Sequence, residues 1–394
     1  MKEDTTNRIL IIHPEGGTLS NPSLKSIIDL LLKSGFKVDL RCPQSTRSPD
    51  SYLNVGFLAY GALIRKAKTI LIERLSLYIG ASILVFLEKL FLYGRYDLII
   101  GVDRQGLVEA SILARLLGVK HVYISFEIMF EEETSRRYKS LERKTTKNVS
   151  MWIVQDYVRE EELQKENSMD ISKSFLLPVS STGAGKFSPA RLRDELGIPN
   201  EKKVAILIGS LCEWTMADEI IKSTESWPDE WVLVIHERHG NALEFMDGLR
   251  GRINMGELLG LKVFVSTKLN VAVDDLGYIL NGIDAGFALY KPTYSSKYTG
   301  KNLQYIGEAS GKISTYLRYG IPIITNEIGL YSTHVRESKI GEIVESSSHI
   351  FESLIKLSDN DEFSKNAITF FSSHLDFVNY EEFLLSRIKQ VMTS

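Results

Sequence analysis

Cysteine is almost missing from this 394-residue chain, with only Cys42 and Cys212 present, far apart in the sequence. They form no metal or redox motif, and read as small buried apolar residues of a reducing compartment. A surplus of one charge is missing too. The formal net charge is -3, so the basic footprint of a nucleic-acid binder is absent. No apolar run spans a membrane convincingly: the longest, Leu75–Tyr93, is interrupted by Glu88 and Lys89. The run Ile9–Ile12 is too short for a signal peptide and lacks a cleavage pattern, which points to a cytoplasmic protein. His236-Glu237-Arg238-His239 has no His-Glu-x-x-His spacing, so no metal is expected. The Gly16-Gly17 loop does not fit Gly-x-Gly-x-x-Gly, which disfavours a nicotinamide or flavin cofactor.

What is present describes a globular chain: 44% hydrophobic and 25% charged residues. The length favours two domains over one core. Short apolar strands alternate with helices throughout, and the pattern breaks once, in the Ser/Gly-rich stretch Val179–Ser188. Alternation of this kind predicts an α/β fold of two doubly wound parallel-sheet domains, 1–180 and 181–375, with a helical remainder 376–394.

The most informative stretch is Ile283–Glu327. Asp284–Pro292 reads as a buried strand running into a loop. Ile313, Tyr316 and Leu317 then repeat at i, i+3, i+4, the spacing of one apolar helix face. Ser310 suits the N-cap and Gly320 the C′ position, before a strand opening at Ile321. The helix N-terminus therefore carries Gly311-Lys312. Unpaired backbone amides, a glycine that lets a ligand approach closely and one ammonium together make a diphosphate seat. On spacing alone, a surface lysine after a capping serine fits equally well.

The wider stretch resembles the donor half of GT-B glycosyltransferases, especially bacterial retaining enzymes of the family 4 type. Gly311, Lys312, Tyr316, Leu317, Gly320 and Pro322 match a Gly-Lys-x-x-Glu-Tyr-Leu-x-x-Gly-x-Pro pattern. Thr315 stands where that pattern has the ribose-holding glutamate, and Glu308 is nearby but out of register. The resemblance covers nearly the whole chain. It implies two domains facing a cleft and a last helix, near Glu381–Met392, crossing back onto the first domain. It also implies a nucleotide diphosphate sugar as co-substrate with no metal. On the donor side it aims the loop Gly209-Ser210 at the phosphates, although Cys212, Glu213 and Trp214 occupy positions where family members carry a basic residue. Arg238, Lys291, Glu308, Ser310, Gly311 and Thr315 join Lys312 as donor-side candidates. The loop Lys291–Ile306, with its lysines and tyrosines, is long enough to fold over a donor.

In the first half, Glu15, Gly16 and Gly17 follow the first strand, where the resemblance places the acceptor and the transferred sugar. His13 beside them reads most simply as structural. Asp103 and Glu127 fall just past two strand ends, where carboxylates bind hydroxyls or steady a cationic transition state. The bland alternative for Asp103 is a cap on the following helix. Leu53–Tyr93 reads as two helices, the first basic through Arg65, Lys66 and Lys68. It serves either as a peripheral membrane surface at the inner face or as ordinary packing against the sheet.

The resemblance implies transfer of a hexosyl-type sugar, with retention, to a saccharide or lipid-linked acceptor in surface polysaccharide or glycoconjugate synthesis. Asp103, Glu127 and Lys312 would be the catalytic groups. The rival from another class is a non-catalytic nucleotide-sugar-binding partner subunit, motivated by Thr315 and by the missing basic residue near Gly209.

Overall fold

The computed structural model describes residues 7–14, 17–43, 55–58, 62–92, 94–237, 262–266, 271, 275–358 and 360–394. The chain divides into two compact units. One comprises Met1–Val179, Ser296–Asn302 and Tyr380–Ser394; the other comprises Ser180–Ser295 and Leu303–Asn379.

The first unit holds a seven-stranded sheet of β1 (Arg8–Ile12), β2 (Lys37–Arg41), β3 (Val55–Phe57), β4 (Leu98–Val102), β5 (Lys120–Ile124), β6 (Met151–Val154) and β7 (Ser174–Leu176). Their order is β3-β2-β1-β4-β5-β6-β7, and every pairing is parallel. The second unit holds β8 (Lys203–Ile208), β9 (Trp231–His236), β10 (Val263–Val265), β11 (Ala285–Ala288), β12 (Ile323–Thr325) and β13 (Gly341–Ile343). These run in the order β10-β9-β8-β11-β12-β13, again parallel throughout. Parallel strands are linked by helices that cover both sheet faces, which is why β4, β6, β9, β11 and β12 are buried along their whole length. In each sheet the winding reverses once, beside β1/β4 and beside β8/β11. Open α/β sheets bind ligands outside the carboxyl ends of strands at such a reversal.

Local chemistry explains most element ends. Asn21 caps Pro22–Lys33 by accepting from the Leu24 amide, with Pro22 in the first turn. Asp156 caps Tyr157–Asn167 in the same way. Gly118, at φ 69°, ends the helix Asp103–Leu117 in the left-handed conformation a glycine takes without steric cost. The helix Glu362–Phe370 runs on into a π turn, Phe371–Leu375.

Two segments differ from the reading of the sequence. Between residues 53 and 93 lies the edge strand β3, followed by the helix Ala62–Thr69, a π turn at Ile70–Arg74 and the helix Tyr78–Leu92. A three-residue strand has no periodicity of its own and exists by pairing with β2. The helix Tyr78–Leu92 is also inverted relative to ordinary packing. Ile79, Ile83, Phe86, Leu87, Leu90 and Phe91 are exposed, while Glu88 is buried. Glu88 bonds to Arg41 and, at 2.8 Å, to Lys68, whose ammonium also reaches Glu109 at 2.6 Å. The charge that interrupts the apolar run in the sequence is thus the part facing inward. The second difference concerns the charged stretch Glu131–Lys147, which reads from sequence as a solvated helix and contains the helix Arg136–Thr146. Lys139 and Glu142 are instead buried and paired at 3.0 Å, and Asn167 donates to Glu142 at 2.9 Å.

The second unit's core depends on one close approach. A Cβ on Gly286 of β11 would lie 2.5 Å from Cγ of Tyr316, so the aromatic ring rests directly on the strand backbone. From there the Tyr316 hydroxyl receives the Ile208 amide and donates to the Ile206 carbonyl, both at 3.1 Å. Gly286→Ala would force the fully buried ring off the strand. Overpacking of this kind costs about 1–3 kcal/mol, and at about 2–4 °C per kcal/mol the melting temperature should fall by several degrees. An unchanged melting temperature would mean that the ring is free to slide.

Candidate functional site

The second unit's site forms at the carboxyl ends of β8 and β11. β8 ends at Ile208, and Gly209 turns the chain at φ 92°, a value that strains any other residue. The turn carries the chain into Glu213–Thr215, with the Thr215 hydroxyl donating to the Ser210 carbonyl at 3.0 Å. β11 runs into Leu289 and Tyr290, both buried. Asn326 fixes Tyr290 in place: its side chain accepts from the Tyr290 amide at 2.9 Å and donates to the Tyr290 carbonyl at 2.7 Å. Trp214 stacks on the Tyr290 ring with centroids 6.1 Å apart.

Between these elements starts the helix Gly311–Arg318. Its N-cap is Ser310, whose hydroxyl accepts from the Ile313 amide at 3.3 Å and bonds the Tyr290 hydroxyl at 2.6 Å. The first amides of a helix have no partner within it. Lys312 leaves this first turn and runs beneath the β8 loop, its Cε 3.7 Å from where a Cβ on Gly209 would sit. Its ammonium lies 5.5 Å from the centre of the Tyr290 ring. It is buried and has no hydrogen-bond partner among the described residues. Burial pushes the Lys312 ammonium down to about 8. An ammonium held out of water without an acceptor is costly unless an anion completes it.

The other donor-side candidates are placed differently. The Thr315 hydroxyl donates to the Gly311 carbonyl at 2.7 Å, one helical turn back. Glu308 is buried, and its carboxylate accepts from His334 and His374 at 2.9 and 2.6 Å. Burial works against its charge, but these bonds hold the Glu308 carboxyl below the usual range. Both placements commit the side chain within the protein rather than leaving it open for a ribose. The Lys291 amide donates to the Trp214 carbonyl at 2.9 Å, while its side chain is half-exposed and 3.7 Å from Glu219. Arg238 lies outside the described residues. The long loop after β11 does not stay wholly with the second unit: Ser296–Asn302 groups with the first, where Lys297 pairs with Glu73 and Lys301 with Glu132.

The first unit gathers its polar residues at the carboxyl ends of β1, β4 and β5. Asp103 opens the helix after β4 with φ 53°, a conformation uncommon outside glycine. It is not a cap on its own helix. Its Oδ1 accepts instead from the amides of Phe126 and Glu127 at 2.8 and 3.1 Å, tying β4 to the loop after β5. These bonds offset part of the backbone strain, and strain of this sort is concentrated at functional sites. Burial, together with the nearby Glu127 charge, pushes the Asp103 carboxyl up to about 7. His13 stands 3.8 Å away and bonds Thr18 at 3.0 Å through Nδ1; burial pushes it down to about 4, so it is neutral at neutral pH. Glu127 accepts from the Asn302 side-chain amide, and Asn302 Oδ1 accepts from the Ile128 amide at 2.9 Å. Arg159, fully buried, donates to the Phe126 carbonyl at 2.6 Å. Gly17 precedes the short 3-10 turn Thr18–Ser20, whereas Glu15 and Gly16 lie outside the described residues.

Reading the sequence named Asp103, Glu127, Ser310, Gly311 and Lys312 as candidates without the residues that surround them. Tyr290 and Trp214 carry the basic residue's surroundings, and Asn302 and Arg159 hold the loop around Glu127. Asn302 is 174 positions from Ile128, so no local pattern announces that contact.

No family model matches the chain, and no curated protein sequence matches it. Solved structures match it nearly end to end. Anabaena HepE in complex with UDP and glucose has a TM-score of 0.69 at 15% identity, covering 98% of this chain and 100% of that one. Sucrose-phosphate synthase from Thermosynechococcus elongatus has a TM-score of 0.71 at 14% identity, covering 98% and 99%. WaaG, a glycosyltransferase involved in lipopolysaccharide biosynthesis, has a TM-score of 0.60 at 14% identity, covering 95% and 98%. Two α/β units with wholly parallel sheets, aligned over almost their full length with these structures, give this chain the GT-B fold.

Proposed function

We propose that this protein is a glycosyltransferase that moves a sugar from a nucleoside diphosphate sugar to a saccharide or lipid-linked acceptor. The observation that carries the reading is the buried ammonium of Lys312, which has no acceptor among the described residues and is set at a helix start beneath the Gly209 turn. A diphosphate there would receive the Gly311 and Lys312 amides and one positive charge. The same groups would oppose the negative charge that grows on the leaving diphosphate, so they would act more strongly in the transition state than in the ground state. Uridine is the base to try first, because HepE is solved with UDP-glucose at a TM-score of 0.69. Retention at the sugar, a hexosyl donor, no metal requirement and a role in surface polysaccharide or glycoconjugate synthesis follow from the family resemblance and belong to the same proposal.

In the first unit, Asp103 and Glu127 would face the acceptor and the transferred sugar. A carboxyl that titrates near neutrality both accepts and donates hydrogen bonds to hydroxyls. A bilayer contact fits the inverted helix Tyr78–Leu92, whose exposed row of Ile79, Ile83, Phe86, Leu90 and Phe91 lies in the same segment as the exposed Arg65, Lys66 and Arg74. No helix among the described residues is long and apolar enough to cross a membrane. Peripheral attachment at the cytoplasmic face, where a lipid-linked acceptor would lie, is the reading we favour.

A second reading, nucleotide-sugar binding without turnover, is favoured by one observation. Thr315 offers no carboxylate to a ribose and its hydroxyl bonds Gly311, while the Glu308 carboxylate is engaged by the two histidines. A thermal-shift screen of UDP, GDP, ADP and CMP sugars, followed by product analysis with acceptors, separates the two, because ligands of the native state raise its melting temperature.

Lys312→Ala should weaken nucleoside diphosphate binding by one charge-assisted bond, about 1.5–3 kcal/mol, or roughly ten- to a hundredfold. Turnover should fall further. In the parent protein, affinity should also decline as pH rises through about 8, because the free ammonium then loses its proton. Calorimetric titration across pH with both proteins checks this, and equal affinities would reduce Lys312 to a bystander. Glu127→Gln should cut turnover at least about a hundredfold, the lower end of general acid–base contributions, while leaving nucleotide affinity nearly unchanged; unaltered turnover would limit Glu127 to holding Asn302. Ile79→Ser combined with Phe91→Ser should abolish co-sedimentation with anionic phospholipid vesicles, and parent protein that stays in the supernatant would remove the membrane contact.

A further inference from the structure

We propose that Glu308, His334 and His374 form a binding site for a divalent transition-metal ion, of the zinc class, in the second unit. Three separate elements build it. Glu308 lies in the 3-10 turn Gly307–Ala309, His334 in the helix Gly329–Ser338 and His374 in the π turn Phe371–Leu375. Both imidazoles direct Nε2 at the same carboxylate oxygen, Glu308 Oε1, from 2.9 and 2.6 Å. The three ligand atoms lie within 4.8 Å of one another, close enough for one ion to replace the hydrogen bonds that now join them.

The donor set suits that ion. Two imidazoles and one carboxylate are the protein ligands of open zinc sites, in which water takes the remaining position. Imidazole selects for zinc, copper, nickel and iron over magnesium and calcium. The surroundings orient the ligands as well. The Phe370 ring lies 5.0 Å from each of the two imidazoles, and Tyr331 meets His334 edge-on at 5.8 Å. Glu308 is 3% exposed, so its charge is held in a medium that strengthens its attraction for a cation. The His374 side chain is 41% exposed and leaves a route from solvent. A π turn where an α-helix would otherwise continue is a recurrent feature of functional positions, and here it carries the third ligand. No spacing in the sequence announces the cluster, since Glu308 is 26 and 66 positions from its partners.

Glu308 is two residues before Ser310, the cap of the helix that bears Lys312. A bound ion would therefore pin the turn that leads into the diphosphate seat. That consequence rests on the donor reading above, whereas the metal site itself does not.

The test uses the untagged full-length protein, stripped of metal with chelator and titrated with Co2+ as a visible probe. The expected result is one equivalent of Co2+ bound, with a d–d absorption band of low-coordinate cobalt that one equivalent of Zn2+ removes. His374→Ala, at a half-exposed position, should keep the parent's circular dichroism and lose at least about tenfold in Co2+ affinity, the scale already lost with outer-shell partners. Glu308→Gln is the second variant and should lose the band as well. Absence of stoichiometric binding, or the same affinity in parent and His374→Ala, would overturn the proposal. Nucleotide binding is not part of the readout, so failure of the donor reading would leave this result intact.

Discussion

The second unit depends on a backbone with no side chain at Gly286. Only there does the Tyr316 ring lie against β11 and send its hydroxyl across to the end of β8. The bond fixes the helix Gly311–Arg318 relative to both strands at the sheet's reversal, so the first turn and Lys312 come to rest under the Gly209 loop. Tyr290 and Asn326 complete the frame from the other side. The helix is too short to be stable alone, and its position comes from these tertiary contacts. The positive charge of the site is thus set in place by aromatic packing on a glycine.

A different device organises the first unit. Asp103, held at φ 53°, gives one carboxylate oxygen to two amides of the neighbouring loop and leaves the other beside a neutral His13. Burial costs a carboxylate its charge unless hydrogen bonds offset that cost. Here the offset is partial, which is why the group titrates near neutrality. Asn302 closes the same loop from the segment Ser296–Asn302, joining Glu127 to the Ile128 amide. The second unit buries the Lys312 ammonium and the first buries the Asp103 carboxyl, each at the carboxyl edge of its own sheet.

Buried charge also explains the inverted helix. Arg41, Lys68, Glu88 and Glu109 form a desolvated network inside the first unit, and such networks hold only when every member is paired. Drawing Glu88 inward rotates the apolar stripe of Tyr78–Leu92 outward. The exposed stripe and the internal ion network are two sides of one helix.

The amino-acid sequence alone determined the strand and helix alternation and the Ser310 cap with Lys312 in the first turn of its helix. Those features are local: periodicity, capping chemistry and turn residues act over a few positions, so they are legible one segment at a time. Tertiary structure decided the rest. Whether Lys312 is a solvated lysine or a buried ammonium depends on Gly209 and Tyr290, far away in the chain. The destination of Glu308 depends on His334 and His374, and that of Glu127 on Asn302. The direction of the helix Tyr78–Leu92 depended on where Arg41 and Lys68 stood, because a hydrophobic stripe states that one face differs from the other without stating which face is inside.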